Sequence, residues 1–351
     1  MNNHTNKKSS IQGKNMFNIG KELAKQSEEL EQQEQLESVS TIYELPLKQA
    51  TNLLKNMGEN WRKDNTEKKN GKEASNILED LINEVDDSEI GRLTIIALYH
   101  SQQYTRACTY LFEYLEVMFD SLADAQIAIK ILCQNELFVL ARQVISSLSQ
   151  WQEDLLTIVT MGEEKSRQEY QETLQTRLRD FYHLGDYSLE EQQSRLQAAF
   201  KLPLNEFITG AKFLLRDPYT HPLVKSSLVE LLSKLQVADP VTVYWLDKKE
   251  YTVVPADIQP LNLLPVVSEG KRLITEKCGN QNPQTEKLAI QEFQLQVMFL
   301  YPRINQIIKD IDEWTDVLIA RIEGKKVATN TVSSTWQERL GKQIDELIEK
   351  H

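Results

Sequence analysis

The sequence predicts a mostly α-helical chain: an α-α superhelix of antiparallel helix pairs, with one small β-hairpin and further helices at the C-terminal end. Three observations predict it. Two helix-turn-helix stretches overlay at a constant offset of 34 residues, Leu93 on Ile127, Ile95 on Ile129, Leu98 on Leu132, Tyr104 on Phe138, Ala107 on Ala141, Leu111 on Ile145 and Tyr114 on Leu148. Elsewhere apolar residues recur mostly at the three- and four-residue steps of an amphipathic helix. Only Val241 to Val254 changes to short runs of β-branched and aromatic residues, the period of a strand pair.

Taken in order, residues 1–73 form a polar segment, low in complexity up to about residue 40, with too little apolar surface to offset the entropy of ordering. Leu45 to Met57 reads as a short helix, and "GENWRKDNTEKKNGKE" (58–73) as a solvated loop. Residues 74–235 form the solenoid. Its first helix puts Ile77, Leu78, Leu81, Ile82 and Val85 on one face. "DDSE" (86–89) then predicts a capping box, an acidic side chain capping free amides while Glu89 reaches back. Gln102-Gln103 and Asn135-Glu136 mark the turns inside the two overlaid pairs, and Ser121 to Asp124 repeats the capping pattern between them.

Residues 236–302 complete the core, with a hairpin of Val241–Leu246 and Tyr251–Val254 and two helical patterns, Gly270–Glu276 and Thr285–Leu300. An isolated hairpin is marginal in water, so this one must pack on helices. Residues 303–351 are a helical tail: one helix from Arg303 to Ile322 and another from Ser334 to Lys350. Apolar residues at three-four spacing, Ile304, Ile307, Ile311, Trp314 and Leu318, then Trp336, Leu340, Ile344 and Leu347, suit docking onto the solenoid end; self-association is the alternative.

Thirty-four residues is the period of the tetratricopeptide (TPR) repeat, in which an aromatic opens the second helix (Tyr104, Phe138) and an alanine three residues on (Ala107, Ala141) lets the helices approach. The match is degenerate. Ile95 and Ile129 replace the small residue of the first helix, and Tyr114 and Leu148 that of the second, which predicts more widely spaced helices. "YHLGDYS" (182–188) gives a third turn that is out of phase and has Glu190 in place of the alanine.

"LGDYSLEEQQSRLQ", "DPYTHPLVKSSLVELLSKL", the valine-rich hairpin ending at Pro255 and "VMFLYP" (297–302) follow in that order. In this the chain resembles a group of TPR proteins from low-GC Gram-positive bacteria, the YsoA-like proteins, from about Leu93 to Pro302. The phrase His221-Pro222-Leu223-Val224-Lys225 with the hairpin behind it is the most specific part. The resemblance implies architecture and host type. It supplies no catalytic residues.

Composition narrows the function. A net charge of −12 over 351 residues argues against general nucleic-acid binding and against an anionic membrane surface. No apolar run approaches the roughly 18 residues of a membrane span, and the first residues lack a signal-peptide pattern, so a cytoplasmic protein is expected. Cys108, Cys133 and Cys278 have no C-x-x-C partner, which suits inert thiols in a reducing compartment. No H-E-x-x-H, P-loop, G-x-S-x-G or dinucleotide fingerprint occurs, so no catalytic residue, metal or cofactor is expected. His100 and His183 each stand at a helix end, where the dipole favours a cation, and His221 precedes a proline at a helix start; all three read as structural.

The remaining functional surface is a groove. Helical phase points Arg92, Ile96 and Tyr99 of the first pair, with Gln126, Lys130 and Cys133 of the second, to a concave face. Cations beside an aromatic suit an acidic peptide segment; the alternative is that the chain fills its own groove. The expected function is a cytoplasmic scaffold or adaptor that binds a protein or peptide. A peptide-responsive regulatory sensor and an enzyme with an unrecognised site are the other readings.

Overall fold

A computed structural model describes residues 48–52, 64–278, 282–326 and 331–348. The expectations for residues 1–40 and for most of Leu45–Met57 lie outside the described residues; 48–52 are helical. The fold is mostly helical, with repeating helix-helix packing of the TPR-like kind, a two-stranded antiparallel hairpin and C-terminal helices. The chain divides into two compact units, Met1–Val117 and Met118–His351, and the division falls between the two helix pairs that share the 34-residue offset.

The first unit holds α1 (Asp64–Ile82), α2 (Ser88–His100) and α3 (Tyr104–Glu113), with α1 packed on α2 and α2 on α3. Leu78, Leu81, Ile90, Leu93 and Ala97 form its core with Ala50 and Ala74. The predicted loop 58–73 is helical from Asp64 onward, which corrects that expectation. Residues 64–73 lack large apolar side chains, but Gly71 supplies something else. A Cβ there would lie 2.9 Å from Ser101 N and 3.0 Å from Ala97 O, so α1 approaches the end of α2 at backbone distance. Arg106 of α3 also binds both oxygens of Glu79 on α1 at 2.5 Å.

α2 starts on Asp87, whose side chain accepts from the N–H groups of Glu89 and Ile90. Glu89 does not reach back as the capping box requires; it pairs with Arg92 one turn on. A single aspartate thus satisfies two free amides and leaves Glu89 to its own helix face. The bulk of Tyr114 is accommodated as well. Its ring lies on Gly91, and its hydroxyl donates to Asp86 at 2.6 Å.

In the second unit α4 (Leu122–Gln134) is capped by Ser121, which accepts from the N–H of Asp124, and packs on α5 (Phe138–Ser147). α6 (Gln152–Glu169) packs on both, as the opening helix of a following repeat does, and α7 (Gln171–Tyr182) packs on α6. A short 3-10 turn, Leu184–Asp186, leads to α8 (Leu189–Ala199), where Ser188 and Glu191 form the expected capping box. α9 (Leu204–Arg216) packs on α7, and α10 (Pro222–Lys234) packs on α5, α8 and α9.

The turns inside the two overlaid pairs share one backbone geometry. Gln102 and Glu136 both adopt left-handed backbone, φ 61° and 59°, and the next residue's N–H returns to the carbonyl five residues back: Gln103 to Leu98 and Leu137 to Leu132, each 2.9 Å. Gln236 repeats this after α10, with Val237 bonded to Leu232 at 3.1 Å. The geometry is that of a helix C-cap motif which glycine usually occupies.

β1 (Val241–Tyr244) pairs with β2 (Glu250–Val253) in the register Val241–Val253, Thr242–Thr252, Val243–Tyr251 and Tyr244–Glu250. β1 is two residues shorter than predicted, since Trp245 to Lys249 form the loop, and β2 keeps its predicted length but begins and ends one residue earlier. As expected, the hairpin packs on helices, β1 against α9.

α11 (Pro265–Cys278) and α12 (Pro283–Leu300) pack on each other. The predicted helix Arg303–Ile322 is two, α13 (Ile304–Ile307) and α14 (Ile311–Ile322), because Asp310 breaks the chain and caps α14 through the N–H groups of Asp312 and Glu313. With α15 (Val332–Ile348) they dock on α11 and α12. Ile304, Ile307, Trp314, Leu318, Leu340 and Ile344 all join one core that begins at Val139, so the apolar faces that offered self-association are turned into this chain. The side chain of Leu347 lies outside the described residues.

Candidate functional site

On α2 most inward positions from Ile90 to Leu98 are buried, while Arg92, Ile96 and Tyr99 are partly exposed along one line. The Arg92 guanidinium is held by Glu89 through two 2.7 Å bonds, and these keep the Glu89 carboxyl below its usual range. The Tyr99 ring lies 5.9 Å from that of Tyr104, at the start of α3. On α4, Gln126, Lys130 and Cys133 stand at the same three register positions and are partly exposed too. Cys133, however, faces the chain itself. A Cβ on Gly162 of α6 would be 3.3 Å from its sulfur, and burial pushes its thiol up to about 12. Ala107, Ala141 and Phe138 are buried, and Tyr104 is half-buried with its phenol raised by burial.

The histidines sit at helix ends. His100 is the last residue of α2, with its ring 5.2 Å from Tyr99. His183 Nδ1 is 3.0 Å from Asp186 across the 3-10 turn. His221 is the N-cap of α10: its Nδ1 accepts from the Leu223 N–H at 3.2 Å, with Pro222 next in the first turn. Among the described residues, no cluster of three or more His, Cys, Asp or Glu side chains could hold a metal ion, and no helix is long and apolar enough to cross a membrane.

Two features escaped the sequence reading. The first is a set of ion pairs joining helices of the second unit. Arg142 of α5 binds both oxygens of Glu163 on α6 at 2.7 and 2.8 Å, and Glu163 also accepts from the Leu204 N–H that opens α9. Arg167 of α6 likewise binds Glu206 of α9, holding that carboxyl below its usual range. These partners lie tens of residues apart, and no local pattern announces them.

The second is a cleft of about 590 Å³ between the start of α10, the hairpin, the end of α12 and α15. Lys225 lies in its wall, 6% exposed; its Nζ donates to Tyr244 O at 2.9 Å and stands 5.1 Å from the Tyr244 ring. Burial pulls this amine down to about 8, against a weaker opposing pull from Asp217. A signal for it existed. Lys225 precedes Leu228 and Leu232 by three and seven residues, on the apolar stripe of α10, where a charged side chain is out of place. The phrase His221–Lys225 and the hairpin, which carry the resemblance, are two walls of this cleft.

The fold and the repeated hairpins define a TPR-like helical protein. The comparisons agree at that level. Over 115 residues the chain is 26% identical to the TPR repeat-containing protein YsoA of Bacillus subtilis (strain 168). The match takes in 33% of this chain and 34% of that protein, so it spans about a third of the relative's length. No family model matches the chain. No solved structure matches it either. The likeness is distant and partial, and extends to the TPR-like type in general.

Proposed function

We propose that the chain is a non-catalytic adaptor of the YsoA-like group in low-GC Gram-positive bacteria, working in the cytoplasm and binding a protein or peptide through α2 and α4. The observation that supports this is the repeated register. Arg92, Ile96 and Tyr99 on one helix, and Gln126 and Lys130 at the same positions of the other, stay partly exposed on helices most of whose remaining inward positions are buried. On α2 an apolar and aromatic line beside Arg92, and on α4 Lys130 at the matching register position, each suit a peptide with acidic residues.

The test is affinity capture from the cytosol of such a bacterium by the full chain, beside an Arg92→Glu/Lys130→Glu variant with an unchanged circular dichroism spectrum. A protein held by the wild type and lost by the variant supports the adaptor reading. The same proteins on both would place binding away from these two helices and overturn it.

A further inference from the structure

We infer that the cleft beside the hairpin is a binding site for a small organic acid, one carboxylate carried on an aromatic or aliphatic body. The inference is independent of the adaptor reading, because none of the residues of α2 or α4 takes part.

The first ground is an unanswered charge. Lys225 is buried, yet among the described residues no carboxylate lies within 4.0 Å of its Nζ, and its hydrogen bond goes to a neutral carbonyl. Asp217, the nearest acid that acts on it, is engaged elsewhere: it accepts from the Thr220 hydroxyl at 2.8 Å and the Tyr219 N–H at 3.1 Å. A buried ammonium without an anion is unfavourable, and a ligand carboxylate would relieve it.

The second ground is the company it keeps. Arg339 of α15 and Lys248 of the hairpin loop line the same cleft, and neither forms an ion pair among the described residues. The one acid in the lining, Asp247, already accepts from the Tyr251 hydroxyl at 2.6 Å and the Lys249 N–H at 3.2 Å. In a chain of net charge −12, three cations around one cavity run against the average. Trp245 adds a buried indole N–H with no acceptor among the described residues.

The third ground is shape. Val229, Val243, Phe299 and Leu340 give the cleft apolar walls. Its volume lies in the usual range for a small molecule, whose specificity comes from a few placed polar groups on such walls. The same chemistry could be offered by a free acid or by the C-terminal residue of a peptide. A volume of about 590 Å³ takes a small free acid whole, without the rest of a peptide chain.

The experiment is calorimetric titration of the full chain with 4-phenylbutyrate, 4-phenylbutylamine and 4-phenyl-1-butanol. The acid should bind, with the amine and the alcohol at least about tenfold weaker, as loss of a charge-assisted hydrogen bond implies. Lys225→Met should weaken the acid by about tenfold or more. Should that variant fail to fold, Arg339→Gln, at an exposed side chain, and a pH series carry the test. The acid stays anionic from pH 7 to 10 while the buried amine loses its proton, so affinity should fall across that range. Asp217 acts on the amine and Tyr244 touches it, while Asp247, Lys248, Tyr301 and Arg339 line the same cleft; burial holds the Tyr301 phenol above its ordinary range, so it stays neutral throughout.

Equal binding of acid, amine and alcohol would overturn the inference. So would acid binding that ignores both variants and the pH. A tetrapeptide, Gly-Gly-Gly-Phe with a free carboxylate, that binds more tightly than 4-phenylbutyrate would overturn the small-molecule assignment in favour of a chain terminus.

Discussion

The ring of Tyr114 rests on the backbone of Gly91, so closely that a Cβ at residue 91 would sit 2.4 Å from its Cγ. The small residue that the degenerate repeat lacks late in its second helix is thus supplied by the first helix, four residues before Ile95. Gly91→Ala should destabilise the first unit by about 1–3 kcal/mol, the usual range for forcing a methyl into a packed contact. Gly341 is the control: it is helical, and a Cβ there meets nothing within 4 Å. Gly341→Ala should stabilise by about 0.5–1 kcal/mol. Urea unfolding reads both, and a Gly91→Ala protein as stable as wild type would refute this packing.

Ala107 and Ala141 are fully buried at matching positions of their helix pairs. Ala107→Leu or Ala141→Leu should each overpack a close helix contact and cost about 1–3 kcal/mol. Calorimetry checks this. If both variants melt with the wild type, the repeat register is wrong.

Glu163, with 3% of its side chain exposed, takes two bonds from Arg142 and one from the Leu204 N–H. Glu163→Ala leaves a largely buried guanidinium unpaired and should cost about 3–5 kcal/mol, whereas Arg142→Met/Glu163→Leu should lie closer to wild type. A double-mutant cycle measures the coupling. Additive single effects would show that the three helices are not tied through this pair.

Lys225 has its amine drawn down to about 8 in the folded chain, against 10.5 when exposed. Below pH 8 both states carry the proton and the folded state bears the full penalty. Between pH 8 and 10.5 the unfolded state binds more protons, so this group makes stability rise with pH. The Cys108 and Cys133 thiols, raised by burial to about 11 and 12, pull the other way above pH 9, because the unfolded chain ionises first. The readout is therefore the difference in urea midpoint between Lys225→Met and wild type, which should move in the wild type's favour from pH 7 to 10. A constant difference would mean that Lys225 titrates as an exposed lysine.

Much of the helical plan was legible because amphipathic period and capping chemistry are local. Ser121, Ser188 and the His221-Pro222 start work where the letters put them. What escaped depends on partners far along the chain. Nothing around Gly71 is apolar enough to announce a helix, since its role is to let α1 reach the backbone of α2. Asp310 looked like one more polar position in a three-four pattern, and its capping of α14 only becomes visible once the chain has turned. The cleft was the least legible feature, because its walls come from four separate stretches and its one local sign was a lysine on an apolar stripe.

The second unit's core runs unbroken from Val139 on α5 to Ile344 on α15, with Trp314 fully enclosed between them. On the ribosome this core cannot close until Ile344 has cleared the exit tunnel. Until then the nascent second unit exposes the strip that Trp314, Leu340 and Ile344 will cover, apolar surface of the kind that invites aggregation during synthesis. A stop codon or protease cut between α14 and α15 would leave bare the surface that Leu340 and Ile344 cover, so copies truncated there should be cleared by quality control rather than persist as shorter working proteins.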